Sequence, residues 1–167
     1  IGTTGFSETQ YSELVSILDQ KVPSIITSNF SIGMNFLYRL SELVGLLPEE
    51  FEISINEKHH SKKIDSPSGT ALSLAKIISE SRGYENLIFD RSKHGKREKS
   101  ELEVTSERIG GTPGIHEINI AGQYEILRLE HTAFSRLAFA RGALFATHWL
   151  HNISEPRIYS MQDVISR

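Results

Sequence analysis

Between positions 51 and 83 the chain changes its period abruptly, and that change limits the folds open to it. Phe51, Ile53 and Ile55 alternate with Glu52, Ser54 and Asn56, the two-residue period of a strand with one wet face. The strand runs into Glu57-Lys58-His59-His60-Ser61-Lys62-Lys63-Ile64-Asp65-Ser66-Pro67-Ser68-Gly69-Thr70, where ionisable groups are packed more closely than anywhere else in the chain. Beyond Thr70, the apolar positions Leu72, Leu74, Ala75 and Ile78 follow helical spacing until Gly83, a residue suited to ending a helix. A strand, a charged loop and a helix in that order place Pro67-Ser68-Gly69-Thr70 at a helix N-terminus.

The flanking segments complete an α/β pattern. Ser7-Glu8-Thr9-Gln10 has the form of a capping box, so a helix is expected over 7–20 with Leu14, Ile17 and Leu18 on its buried face. Pro23 stops it, and 24–27 reads as a short buried strand. From Ser31 the positions Ile32, Phe36, Leu40, Leu43, Val44 and Leu47 recur at helical spacing up to Pro48. Residues 90–100 hold six basic side chains and no apolar one, the composition of a solvated, mobile loop. Strands are expected over 102–109, 115–121 and 124–131, joined by Gly110-Gly111-Thr112-Pro113-Gly114 and Gly122-Gln123. Short turns imply antiparallel neighbours. A final helix over 135–150, rich in Ala and Gly, suits close packing on a sheet. The expectation is a four-stranded, mainly antiparallel mixed sheet with helices on one face.

Composition removes several function classes. The 167 residues carry 18 Lys plus Arg against 21 Asp plus Glu, a formal charge of −3, and no cysteine. Disulfides and thiolate chemistry are excluded, and a general nucleic-acid binder would need a cationic surface. The uncharged stretch 22–38 contains Pro23, Asn29, Gly33 and Asn35, which rules it out as a membrane span. The first residues, Ile1-Gly2-Thr3-Thr4-Gly5-Phe6, lack the basic region and apolar run of a signal peptide, so a cytoplasmic location is expected.

The chemistry concentrates in the loop. An imidazole, with an ordinary pKa of about 6.5, can give or take a proton near neutrality. His59 and Lys63, four apart after a strand end, therefore read as a proton donor beside an anion anchor, against the plainer reading of a solvated loop. Ser68, Gly69 and Thr70 open a helix whose first N–H groups and positive dipole end favour an anion. An ordinary N-cap would explain Ser and Thr there, but not the basic residues preceding them. Together they favour an anionic small-molecule site. Gly2-Thr3-Thr4-Gly5 and Thr27-Ser28-Asn29-Phe30 each lead into a helix, the kind of junction that borders nucleotides in parallel sheets, although neither is a glycine fingerprint. His116, His131, His148 and His151 read as structural, and no spacing points to a metal. Arg136 at a helix start is either a bidentate carboxylate ligand or a surface arginine.

The segment from Glu57 to Ala71 closely resembles the signature E-x-H-H-x-x-K-x-D-x-P-S-G-T-A of the dihydrodipicolinate reductase family. Asn29-Phe30-Ser31-Ile32-Gly33-Met34-Asn35, Arg108-Ile109-Gly110-Gly111 with Gly114-Ile115-His116, His131-Thr132-Ala133-Phe134-Ser135-Arg136 and Tyr159-Ser160-Met161-Gln162-Asp163-Val164 extend the resemblance over essentially the whole chain. It implies an enzyme of diaminopimelate and lysine biosynthesis that uses NADPH or NADH to reduce a cyclic dicarboxylate. By the resemblance His59 is the acid/base residue and Lys63 the proton donor. His60, Gly69, Thr70 and Arg136 bind substrate carboxylates, and Gly2, Thr3, Thr4, Thr27, Ser28, Asn29 and Phe30 border the nicotinamide cofactor. It further implies a homotetramer, a remnant of a Rossmann-like dinucleotide-binding domain at 1–29, a substrate and tetramerisation domain at 30–150, and a return to the first domain at 151–167. The family's strand and glycine-rich loop for the cofactor pyrophosphate are missing from this sequence, so weak cofactor binding and slow turnover are expected of the chain alone. A non-catalytic dicarboxylate-binding or assembly module and another two-domain nicotinamide-dependent dehydrogenase are the rival readings.

Overall fold

The computed structural model describes residues 1–3 and 5–166 and divides the chain into two compact units, Ile1–Phe36 with Arg136–Arg167, and Leu37–Ser135.

The central unit is built on a five-stranded mixed sheet. Its strands are β2 (Glu52–His59), β3 (Asn86–Ile88), β4 (Glu101–Arg108), β5 (Ile115–Ala121) and β6 (Ile126–Thr132), in the order β3-β4-β2-β5-β6. β2 and β3 each pair with β4 in parallel, whereas β2–β5 and β5–β6 are antiparallel. Four mainly antiparallel strands were expected, and the sheet has five with the two senses balanced. The extra strand, β3, has one buried residue, Ile88, too little for a two-residue period to show. The parallel pairing of β2 with β4 follows from the crossover through α3 (Gly69–Arg82) between them. The connection 109–114 does not join neighbours: it steps over the C-terminal end of β2, where Ile109 N–H donates to His59 O at 2.8 Å and Ser61 N–H to Gly110 O at 3.1 Å.

One face of this sheet is the core. Inward positions Ile53 and Ile55 of β2, Leu102 and Val104 of β4 and Ile118 and Ile120 of β5 are buried, as are Ala71, Leu74, Ala75 and Ile78 of α3, which packs on β2 and β4. Each Leu, Ile or Val among them contributes about 1.5–3 kcal/mol by leaving water. α3 starts on Ser68, whose Oγ accepts from Ala71 N–H at 3.2 Å, and stops at Gly83 in the left-handed conformation. The opposite sheet face is polar, with Thr105 Oγ1 donating to Asn56 at 2.6 Å, Lys58 paired with Glu107 at 3.0 Å and Arg128 donating to Asn119 at 3.1 Å. Lys93, His94, Lys96 and Lys99 of the 90–100 segment are exposed, but two of its arginines are tied to strand ends. Arg91 pairs with Glu101 and Glu103, and Arg97 donates to the carbonyls of Ile53 and Glu101.

The terminal unit contains α1 (Glu8–Leu18), β1 (Ser24–Ile25), α4 (Leu137–His151), β7 (Ile158–Tyr159) and α5 (Met161–Ile165), while α2 (Ile32–Glu42) runs from it into the central unit. β1 and β7 form a two-stranded parallel sheet. Ile25, Ala146, Tyr159, Met161 and Val164 form its core, flanked by Phe30, Trp149, Leu150 and Ile153. The capping box of α1 is present as expected, but its apolar stripe is not buried: Ile17 is 54% exposed. Caps and periodicity make a helix, while burial depends on a neighbouring element that these local signals do not supply.

α4 approaches the backbone closely at Gly142, where a Cβ would stand 1.8 Å from Phe30 O. Gly142→Ala is therefore expected to cost about 3 kcal/mol, the upper range for overpacking. Gly69→Ala, where a Cβ meets nothing within 4 Å, should leave stability almost unchanged, and thermal unfolding of the two variants checks both.

Candidate active site

The inward face of β2 reads Ile53, Ile55, Glu57, His59, so an aliphatic core gives way to two ionisable residues in the strand's last turn of the pleat. The neighbours across the sheet change character with them. Glu57 lies opposite Ser106 and His116, His59 lies opposite Arg108, and His116 in turn faces His131. The N-terminus of α3 closes the group from above the sheet through Ser68.

Glu57 is the centre of this arrangement. Its Oε2 is hydrogen-bonded to His59 Nδ1, while its Oε1 accepts from Arg108 Nη2 at 2.8 Å and from the Ser68 backbone N–H at 3.2 Å. Arg108 also donates to Asp65 O at 2.5 Å, so one guanidinium holds both the buried carboxylate and the loop. Ser68 Oγ lies 3.3 Å from His116 Nε2, and the His116 ring meets His59 edge-on with centroids 5.1 Å apart. Lys63 N–H donates to His60 O, and its ammonium pairs with Asp65 at 2.8 Å. These contacts bring strand end, loop and helix start into one cluster.

The electrostatics follow from burial and partners. Burial alone would raise the Glu57 carboxyl, but the hydrogen bonds with His59 and Arg108 outweigh it and hold it far below the usual carboxylate range. His116 is pushed down to about 3, first by burial and then by the neighbouring His59. The hydrogen bond from Lys63 lowers Asp65. Glu57, His59 and His116 present donor atoms within 4.8 Å of one another, a spacing that a cation could share. Both oxygens of Glu57 already accept from protein donors, however, so the group is a hydrogen-bonded cluster.

The sequence-predicted residues fall into two sets. His59, His60, Lys63, Gly69 and Thr70 all lie in the central unit, with His59 buried, His60, Lys63 and Thr70 half-buried and Gly69 exposed. Nothing in the protein's own packing requires a glycine at 69. Arg136 lies in the terminal unit, exposed at the cap of α4. Gly2, Thr3, Thr27, Ser28, Asn29 and Phe30 lie in the terminal unit as well, and Thr4 lies outside the described residues. A Cβ at Gly2 would stand 2.8 Å from the Phe30 ring, and Thr27 N–H donates to Ile1 O at 3.1 Å. Thr3, Thr27 and Ser28 line a cleft of about 570 Å³ with Phe6 and Tyr11.

Sequence reasoning missed Glu57 and Arg108. The signal was available for Glu57: the alternation that buries Ile53 and Ile55 carries on to 57, and an acid at an inward position demands a partner. Arg108 could not be assigned, because its role depends on a parallel pairing that local turns do not reveal.

The family model described as "Dihydrodipicolinate reductase, C-terminus" matches residues 33–165. The chain is 36% identical to a 4-hydroxy-tetrahydrodipicolinate reductase of Methanoculleus marisnigri and 40% identical to one of Clostridium botulinum, in each case over 99% of its own length. It spans 65% and 66% of those relatives. Among solved structures it is similar to the dipicolinate-bound dihydrodipicolinate reductase from Paenisporosarcina sp. TG-14, with a TM-score of 0.76 and 24% identity, covering 99% of this chain and 63% of that one. That likeness speaks for the fold.

Acid should loosen this cluster. Folded His116 stays neutral down to about pH 3, whereas the unfolded chain binds its proton near 6.5. The unfolded state therefore holds more protons in between, and stability falls as pH drops through that window by at most about 1.4 kcal/mol per pH unit from this residue. Glu57 acts in the same direction below its ordinary 4.5. Denaturant unfolding between pH 7.5 and 5 should show the decline, and His116→Gln should flatten it. Unchanged stability in the native chain down to pH 5 would contradict the assignment.

Proposed function

Because the chain belongs to the dihydrodipicolinate reductase family, we propose that it carries the substrate-binding and proton-donating part of an enzyme that reduces 4-hydroxy-tetrahydrodipicolinate to tetrahydrodipicolinate with NADPH or NADH, in diaminopimelate and lysine biosynthesis. The observation that carries this reading is the joining of the imidazole of His59 and the N-terminus of α3 through one buried carboxylate, Glu57. An acid/base group and an anion cradle are thereby held in fixed relation.

Each residue then has a defined task. The first N–H groups of α3 at Gly69 and Thr70 meet a substrate carboxylate at the positive end of the helix dipole. His60 offers a ring nitrogen for hydrogen bonding, the Lys63 ammonium adds positive charge, and Lys63 exchanges its exposed partner Asp65 for the ligand. Arg136 supplies a further bidentate contact. With the ring fixed, His59 acts as acid/base residue at its nitrogen away from Glu57, and Lys63 delivers a proton from Nζ. Neutralising the carboxylates and fixing the ring are the positioning and electrostatic parts of such a reaction.

The nicotinamide supplies the hydride when it is bound. The hydroxyls and backbone of Thr3, Thr27 and Ser28 beside the aromatic rings of Phe6 and Tyr11 suit a flat amide-bearing ring, and Gly2, Thr4, Asn29 and Phe30 are assigned to the same border by the family resemblance. The terminal unit is accordingly read as the remnant of the Rossmann-like cofactor domain, and the central unit as the substrate domain. The protein is read as a cytoplasmic homotetramer whose copies meet through the polar sheet face. Among the described residues no helix is long and apolar enough to cross a membrane.

The test is kinetic, in the full-length protein that contains this chain. His59→Gln and Lys63→Ala should each lower kcat by about 10²–10⁴-fold while KM for the dicarboxylate changes far less for His59→Gln. Near-normal turnover in both variants would refute the assigned roles. Saturable binding of pyridine-2,6-dicarboxylate without any reduction of substrate would favour a binding module instead.

A further inference from the structure

We propose that Glu57 is a positioning residue that sets the tautomer of His59 and couples it to the start of α3, with Arg108 as its counter-ion. The inference rests on His59 being the acid/base residue, but its structural half stands apart from that reading.

Three observations converge on it. The first is placement. Positions 57 and 59 share the inward face of β2, so their side chains are neighbours on the sheet. The second is saturation. The Glu57 side chain has no exposed surface, and its two oxygens accept from His59 Nδ1, Arg108 Nη2 and Ser68 N–H. A carboxylate held by a guanidinium and a backbone N–H is acceptor only, so Nδ1 of His59 must be the nitrogen that carries the proton towards it. The other nitrogen, Nε2, is then the one left to exchange a proton with a ligand. Gly114 borders that edge, where a Cβ would stand 3.2 Å from Nε2. The third is connection. Ser68, which donates to Glu57 through its N–H, also caps α3 and reaches His116, and Arg108 reaches the carbonyl of Asp65 in the loop that bears Lys63. The carboxylate thereby fixes imidazole, helix start and loop as one body.

A purely structural ion pair would account for burial and for the arginine, but it would leave the tautomer of His59 indifferent to residue 57. Glu57→Gln separates the two. The amide oxygen can still accept from Arg108 and Ser68, and its NH₂ then donates to His59 Nδ1. The ring is forced into the opposite tautomer. Turnover in the full-length protein should fall on the order of 10²–10⁴-fold, the scale of positioned proton transfer, with the upper end matching the loss when a triad carboxylate becomes an amide. Affinity for pyridine-2,6-dicarboxylate should change less than about threefold.

Long-range ¹H–¹⁵N correlation spectra of the ring nitrogens, recorded on this chain, read the tautomer directly and need no turnover. The expected result is a proton on Nδ1 of neutral His59 in the native protein and on Nε2 in Glu57→Gln. A proton on Nε2 in the native protein overturns the proposal, whatever the kinetics show, and this spectrum requires no variant to fold. A tautomer that switches as expected while Glu57→Gln and His59→Gln both retain full turnover upholds the positioning and sinks the acid/base role of His59 instead.

Discussion

A charged carboxylate with no exposed surface, at the edge of an aliphatic core, organises the central unit. Moving such a group out of water is tolerable only when good geometry and hydrogen bonds compensate it, and removal of a single partner from a buried pair typically costs about 3–5 kcal/mol. Glu57 obtains its compensation from three separate segments: the strand that carries it, the parallel neighbour β4 through Arg108, and the helix start through Ser68. The requirement therefore ties the order of strands to the position of α3. β4 must lie beside β2 to present Arg108, and the connection 109–114 must pass over the end of β2 rather than turn straight back.

That topology explains why the chemically capable residues gather where they do. Strand β2 spends its first inward positions on Ile53 and Ile55, which are anchored by Leu102, Val104, Ile118 and Ile120 and by α3. Only the last two inward positions hold ionisable groups, so the polar cluster stands on a rigid base. The loop that follows is fixed at both ends, by the strand register and by the cap of α3, with Arg108 gripping its middle at Asp65. His59 and the N–H groups of Gly69 and Thr70 are presented from well-packed elements, and Lys63 from the loop between them, paired with the exposed Asp65.

Much of this was legible in the sequence. The alternation of Phe51, Ile53 and Ile55, the Ser68 cap and the stop at Gly83 define the strand-loop-helix unit by local rules alone, and the match of residues 57–71 to a family signature pointed to the same loop. What was not legible depends on tertiary context. β3 has one inward residue and leaves no period. The crossing of 109–114 over β2 looks like an ordinary glycine turn when read locally. The side chains of Arg91 and Arg97 look solvent-bound until the strand ends that receive them are known. Arg108 falls in the same class, since its partner stands 51 residues away in sequence. The apolar stripe of α1 shows the reverse failure: a periodic pattern that forms its helix without burying the face it marks.

As proposed above, the Glu57-centred cluster builds a dicarboxylate site from residues 59–70. The most direct measurement is a titration of the ¹⁵N-labelled chain with pyridine-2,6-dicarboxylate, followed residue by residue in ¹H–¹⁵N spectra. Saturable shifts concentrated at His59, His60, Lys63, Gly69 and Thr70 are the predicted result. Saturable binding whose shifts fall on the polar sheet face or at the β2 N-terminal end, with the 59–70 segment unmoved, would contradict it.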